Sequence, residues 1–303
     1  MALLSTGPFS FMSNLYTRNC EIKPGVLFPE GMQRVALGVE YQGAGFNGFQ
    51  KQTATDNTVQ AHLERALSQV ANETVTLVCA GRTDAGVHAS EQVVHFDTLA
   101  KRPPKAWIEG VNTQLPDEIR VHWAQDVAES FHARFAALAR TYRYVLVPTK
   151  VRPACLSKQV TCTRYDLDVE RMQCAAALLE GEHDFSAFRS SQCQANNPVR
   201  TISYIRFSQP GQFVVMEIKA NAFLHHMVRN IVGCLLDVGR GARDPAWMRE
   251  LLAQRDRTLA SPTARPWGLY FVRADYPEAF ALPHQEKGPL FLPSQLSPSV
   301  TVP

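Results

Sequence analysis

The sequence has no Cys-x-x-Cys pair, and its seven cysteines in 303 residues are scattered from Cys20 to Cys234. An odd, unspaced set argues against a disulfide framework or a zinc site, and most of the cysteines read instead as reduced, buried, small apolar residues. One glycine-rich loop is present, Gly43–Gln50, but no Gly-Lys-Ser/Thr follows it, so it is not a phosphate-binding loop. No apolar run reaches the ~20 residues of a membrane helix. Met1–Cys20 shows no basic segment leading into an apolar core and a cleavage site, so the expectation is a cytoplasmic protein. Acidic residues are missing over one long stretch. From Phe131 to Tyr165 there is no Asp or Glu, while Arg134, Arg140, Arg143, Lys150, Arg152, Lys158 and Arg164 interleave with Tyr142, Tyr144 and Tyr165. A net charge of only +3 hides this block, which has the make-up of a polyanion-binding face with stacking aromatics, or of a plain solvated strand pair.

What is present centres on Ala80-Gly81-Arg82-Thr83-Asp84-Ala85-Gly86-Val87-His88-Ala89. An apolar run, Thr74–Cys79, precedes it and a second, Gln92–Phe96, follows, so the segment is a short loop between strands. Two glycines bracket one Arg and one Asp. If the backbone is extended, Arg82 and Asp84 point to the same side, and a guanidinium beside an Asp favours the carboxylate. Asp84 could then act as nucleophile or base, or merely form an ion pair that ties down a tight loop.

The string Gly81 to His88 matches without a gap the pattern G-R-T-D-x-G-V-H, and the chain thereby resembles the tRNA pseudouridine synthase A family from about Val35 to Tyr276. The resemblance implies that Asp84 is the catalytic aspartate. It implies that Tyr142 is the active-site tyrosine stacking on the target base, and that Arg229 pairs with Asp84 across a cleft. Arg82, Arg134, Arg143 and His88 join them as candidates for the catalytic or substrate-binding set. It further implies a tRNA substrate modified at uridines 38, 39 and 40 of the anticodon stem-loop, a homodimer, and no cofactor or metal. Where the family shows G-W-Q, this chain has Gly48-Phe49-Gln50, and Phe49 is expected to be packing.

Taken in order, residues 1–32 are broken by Pro and Gly and read as a flexible extension. Residues 33–135 read as strand, helix, strand, strand, helix, strand, with Asn57 capping a helix whose apolar stripe is Val59, Leu63, Leu67 and Val70. Residues 136–281 echo that order. A long strand spans Leu138–Val147, a helix runs from Asp168 to Leu179, two strands lie near 202–207 and 213–220, a helix covers about Phe223 to Val238, another runs from Pro245 to Gln254, and a strand closes at 269–272. The fold class is α+β. The family implies two pseudo-symmetric halves sharing one mostly antiparallel sheet, with the active-site cleft between them. Residues 282–303 form a proline-rich tail expected to be loosely ordered.

The second informative stretch is Ala222–Gly233. A helix would send the neighbours His225 and His226 about 100° apart, and zinc helices carry His at i and i+4 around a Glu, so no metal site is expected there. Phe223, Met227, Ile231 and Leu235 share an apolar face, and Arg229 sits at its edge, where it snorkels or pairs. Other chemistries fare worse. A magnesium-dependent phosphatase wants a second Asp beside Asp84, and Ala85-Gly86-Val87 stand there. A glycosidase wants paired carboxylates, and only Glu91 is close in sequence. A catalytically inert tRNA-binding protein remains the alternative to an enzyme.

Overall fold

A computed structural model describes residues 28–285, 288–293 and 295–297; most of the 1–32 extension, and Cys20 with it, lies outside them. The described chain forms one ten-stranded sheet. Its strands are β1 (Gln33–Tyr41), β2 (Leu77–Cys79), β3 (His88–Thr98), β4 (Ile119–Val127), β5 (Ala139–Pro148), β6 (Thr161–Thr163), β7 (Gly181–Asp184), β8 (Val199–Ser208), β9 (Val214–Ala220) and β10 (Leu269–Asp275). They run in the order β4-β1-β3-β10-β5-β9-β8-β7, with β2 on β3 and β6 on β5. Pairing is antiparallel except at β5–β6 and at β3–β10, where His88 faces Tyr270 and Ala89 faces Phe271. The β3–β10 contact is the seam between the halves, and it begins where the Gly81–Val87 loop ends.

Among the described residues four α-helices carry the rest, α1 (Val59–Ala71), α2 (Val169–Ala177), α3 (Met227–Gly239) and α4 (Trp247–Gln254), and the expected second helix of the first half is a π-helical segment over Ala106–Gly110 with Trp107 buried. Along β5 the period of two divides the side chains. Tyr142, Tyr144 and Leu146 join the main core with the apolar residues of all four helices. Val145 and Val147 face the other way and pack with Val215, Tyr270, Val272 and Leu292. Burying such side chains stabilises by about 1.5–3 kcal/mol each.

Several expectations need correction. Thr58, not Asn57, caps α1: its side chain accepts from Ala61 N–H, whereas the Asn57 amide donates to Gly45 O. Asp168 does cap α2 by accepting from Arg171 N–H. Strands β6 and β7 are three- and four-residue elements too short to show a period. The described part of the tail is docked rather than loose. Leu292 is buried in the second core, Glu91 accepts a hydrogen bond from Gln285 N–H, and Arg143 donates to the carbonyls of Gly288 and Pro293. Prolines lower propensity, but the apolar residues among them still find a sheet face to cover.

Candidate active site at the seam of the sheet

The loop carrying Asp84 is fixed from below by its neighbours. As β2 and β3 pair, Ala80 N–H donates to Val93 O and Gln92 comes to lie under Gly81. The Gln92 side chain then clamps Gly81 twice, accepting from its N–H at 3.3 Å and donating to its carbonyl at 2.7 Å. Thr83 turns inward, its hydroxyl 2.8 Å from that of Tyr41, and its carbonyl accepts from Phe49 N–H. Phe49 is buried against Tyr41, as packing. Gly48 holds φ at +91°, and a Cβ there would lie 2.9 Å from Thr83 O, so only glycine lets this second loop support the first. Gly86, at φ +81°, closes the turn over Asp84 and would meet Pro266 at 2.9 Å if it carried a Cβ.

With Thr83 anchored inward, Asp84 faces the second half. Its Oδ2 accepts from Arg229 Nη1 at 3.0 Å, and Arg229 is held in turn by donating Nε–H to Ala264 O at 2.9 Å. Such a charge-assisted bond is stronger than a neutral one. Two imidazoles complete the surround: His225 Nε2 lies 3.4 Å from Oδ1, and His226 Nε2 lies 3.3 Å from Oδ2. Burial holds the His226 imidazole below its ordinary value, against the opposing pull of Asp84. Arg82 is exposed and is not among the ion-pair partners of Asp84. The expected short-range Arg82–Asp84 pair is thus replaced by a long-range one, because the second half supplies the counter-charge.

The pair His225–His226 is the main finding that sequence reasoning missed. Helix α3 starts at Met227, not at Phe223, and His226 is its N-cap in the left-handed region at φ +63°. Two residues outside the regular helix are not bound to diverge by 100°. Their rings lie 4.0 Å apart, centroid to centroid, and both reach Asp84. The helical divergence that would keep the two imidazoles apart is therefore absent here. A non-glycine residue with positive φ leaves no periodic signal, so nothing in the pattern announced it.

Tyr142 lines the same site. Its ring packs edge-on between Phe223 and Phe271, and its hydroxyl has no hydrogen-bond partner among the described residues. Burial raises its pKa far above the ordinary phenol value, and the Asp84 charge adds to that, so it stays a neutral phenol.

The remaining candidates separate. Arg134 is exposed beside Phe135, where a polyanion can reach it. Arg143 is a correction: strand alternation turns it to the tail side of the sheet, where it is buried, paired with Glu217 at 2.9 Å and hydrogen-bonded to tail carbonyls. His88 is another. It is buried, stacked on Tyr270, and saturated: Nδ1 accepts from Gly43 N–H and Nε2 donates to Trp267 O. Burial lowers it to about 4, so it is neutral and ties the loop to the second half rather than reaching a ligand. Glu91, the other carboxylate near the loop, faces the tail. Of the basic block, Lys150, Arg152, Lys158 and Arg164 stay exposed, and Arg152 and Arg265 flank the Trp267 ring at 5.4 and 5.5 Å.

Comparison with known proteins gives a single answer. The profile of the family described as "tRNA pseudouridine synthase" matches residues 38–136 and 175–277. A protein of Mannheimia succiniciproducens named "tRNA pseudouridine synthase A" is 54% identical over 263 residues, 87% of this chain and 100% of its own length. A protein of the same name from Pseudomonas aeruginosa is 52% identical over 262 residues, 86% of this chain and 92% of its own. No described helix is long and apolar enough to cross a membrane.

Proposed function

The chain belongs to the tRNA pseudouridine synthase family, and from that premise we propose that it isomerises uridine to pseudouridine in tRNA through Asp84, assisted by Arg229 and Tyr142. The supporting observation is the Asp84 carboxylate itself, presented by one half of the sheet and bound at 3.0 Å by an Arg of the other. The reaction breaks the N1–C1′ bond, turns the uracil, and joins C5 to C1′; the C5 proton is lost and N1 gains one. It is redox-neutral and consumes no water. Attack on C1′, attack on the uracil ring and removal of a sugar proton each require an ionised, positioned carboxylate, which Arg229 supports. Tyr142 offers a ring face to the extruded base, and flipping that base costs a few kcal/mol. Exposed Arg82, Arg134, Arg152 and Lys158 offset that cost through phosphates.

The same reading takes uridines 38, 39 and 40 of the anticodon stem-loop as targets, a homodimer as the working form and the cytoplasm as the location. The test is release of tritium from C5-labelled uridine in tRNA transcripts, wild type against Asp84→Ala. Release by wild type alone supports the proposal. Release by both variants removes Asp84 from the mechanism. Binding without release by wild type favours an inert tRNA-binding protein.

A further inference from the structure

Asp84, His225 and His226 form the one group of three potential metal-ligating side chains among the described residues whose donor atoms converge, all within 4.8 Å of one another. We propose that this group binds a zinc-type divalent cation in the RNA-free protein, and that the bound ion caps Asp84 until tRNA displaces it. Its inhibitory half rests on the reading of Asp84 given above; the binding half does not.

Zinc holds imidazole nitrogen at ~2.0–2.1 Å and carboxylate oxygen at ~2.0–2.2 Å in a tetrahedron, which sets neighbouring ligand atoms roughly 3.3–3.5 Å apart. The imidazole-to-carboxylate separations are 3.4 Å from His225 Nε2 to Oδ1 and 3.3 Å from His226 Nε2 to Oδ2, so the carboxylate would ligate through both oxygens. These atoms come from residues more than 140 positions apart, so their spacing is imposed by the fold and not by a local turn. Both imidazoles turn Nε2 towards the carboxylate, and the left-handed backbone of His226 fixes the second. A residue held in that region persists only where its surroundings over-determine it, and such residues cluster at functional sites. The three side chains are 23–35% exposed, which leaves the cleft side of the cluster open for a fourth ligand.

The chemistry of the set also selects the ion. Two imidazoles and one carboxylate suit zinc and its neighbours, whereas magnesium demands oxygen ligands and keeps its waters. Magnesium, the usual companion of RNA, is therefore not the expected occupant. Arg229 opposes any cation, since its guanidinium already bonds Oδ2. That positive charge makes the site weaker than a structural zinc centre, and hence displaceable.

The test titrates zinc chloride, and separately magnesium chloride, into the full RNA-free chain by calorimetry. Wild type is compared with His225→Asn and His226→Asn, each checked for its melting temperature. Asparagine tolerates the left-handed region, so the second variant keeps the backbone of the N-cap. The expected result is one zinc per chain, at least tenfold weaker in either variant, and no saturable magnesium binding. Absence of saturable zinc binding to wild type, or wild-type affinity in both variants, overturns the proposal. Zinc should also raise the apparent KM for tRNA in the tritium assay, and His226→Asn should relieve the effect. Histidine-dependent binding without inhibition overturns the capping half. Histidine-dependent binding by a chain that never releases tritium leaves the site standing and refutes the catalytic reading instead.

Discussion

The Arg229 guanidinium bonds the Asp84 carboxylate at 3.0 Å across 145 residues of chain, and so ties the Gly81–Val87 loop of one half to a helix of the other. Arg229→Ala should lower kcat/KM by roughly 10²–10³, the scale on which one oriented charge-stabilising donor acts. Arg229→Lys keeps the charge but loses the second bond, to Ala264 O, and should recover only part of the activity. Initial rates at tRNA concentrations well below KM check this. Equal rates for Lys and wild type would show that only charge matters and that the geometry is incidental.

Tyr142 separates ring from hydroxyl. The hydroxyl has no partner among the described residues, so Tyr142→Phe should leave stability within about 0.5 kcal/mol of wild type. Tyr142→Ala removes a buried ring between Phe223 and Phe271 and should cost about 3–5 kcal/mol. If the ring's stacking is what catalysis uses, Tyr142→Phe retains most of the turnover. Urea denaturation alongside the tritium assay reads both quantities.

The sequence made the strands, the loop and Asp84 legible because each rests on local pattern: alternation along β1 and β5, glycines around a turn, a ten-residue motif. The partners of Asp84 were legible only in part. Arg229 sits at the edge of an apolar helical face, which leaves it to snorkel or pair, and only the family resemblance names Asp84 as its partner. His225 and His226 were misplaced because the start of a helix depends on capping geometry, and a left-handed His cap has no compositional cue. Arg143 was misjudged although the alternation already placed it opposite Tyr142; charge drew it into the binding set, while the tail that buries it carried no periodic signal. Gln92 followed from the β2–β3 register once that register was known.

Arg143 and Arg134 should therefore behave oppositely. Arg143 is buried with Glu217, and Arg143→Ala leaves that carboxylate without its guanidinium, at a cost of about 3–5 kcal/mol. Arg134→Ala touches an exposed side chain and should cost under about 0.5 kcal/mol. In tRNA binding the order reverses: Arg134→Ala weakens affinity and flattens its salt dependence, while folded Arg143→Ala binds with the wild-type salt slope. A lowered salt slope for Arg143→Ala would show that the tail leaves this face when tRNA binds.

Three buried histidines set a pH limit on the fold. His88 accepts Gly43 N–H at Nδ1, His95 accepts Ala133 N–H, and His132 accepts the N–H groups of Arg134 and Phe135. Protonation would turn each acceptor into a donor facing a donor, in a site that already disfavours charge. Burial accordingly lowers His88 and His132 to about 4, and His95 well below its ordinary value. The unfolded chain takes up these protons near the ordinary 6.5, the folded chain only near 4 or below. Between those values the unfolded state binds more protons, so stability is fully present above pH 6.5 and is lost as pH falls towards 4. At pH 5 each histidine that titrates near 4 when folded has contributed a loss of about 2 kcal/mol. Carboxylates add a pH dependence of their own, so the check is a difference. Asparagine at position 132 can still accept the N–H two residues on, but it does not titrate. His132→Asn should accordingly lose about 2 kcal/mol less than wild type between pH 7.5 and pH 5 in urea denaturation. Parallel stability curves for the two proteins would mean that His132 takes up its proton at the same pH in the fold as in the unfolded chain, and that its ring does not hold the two backbone bonds.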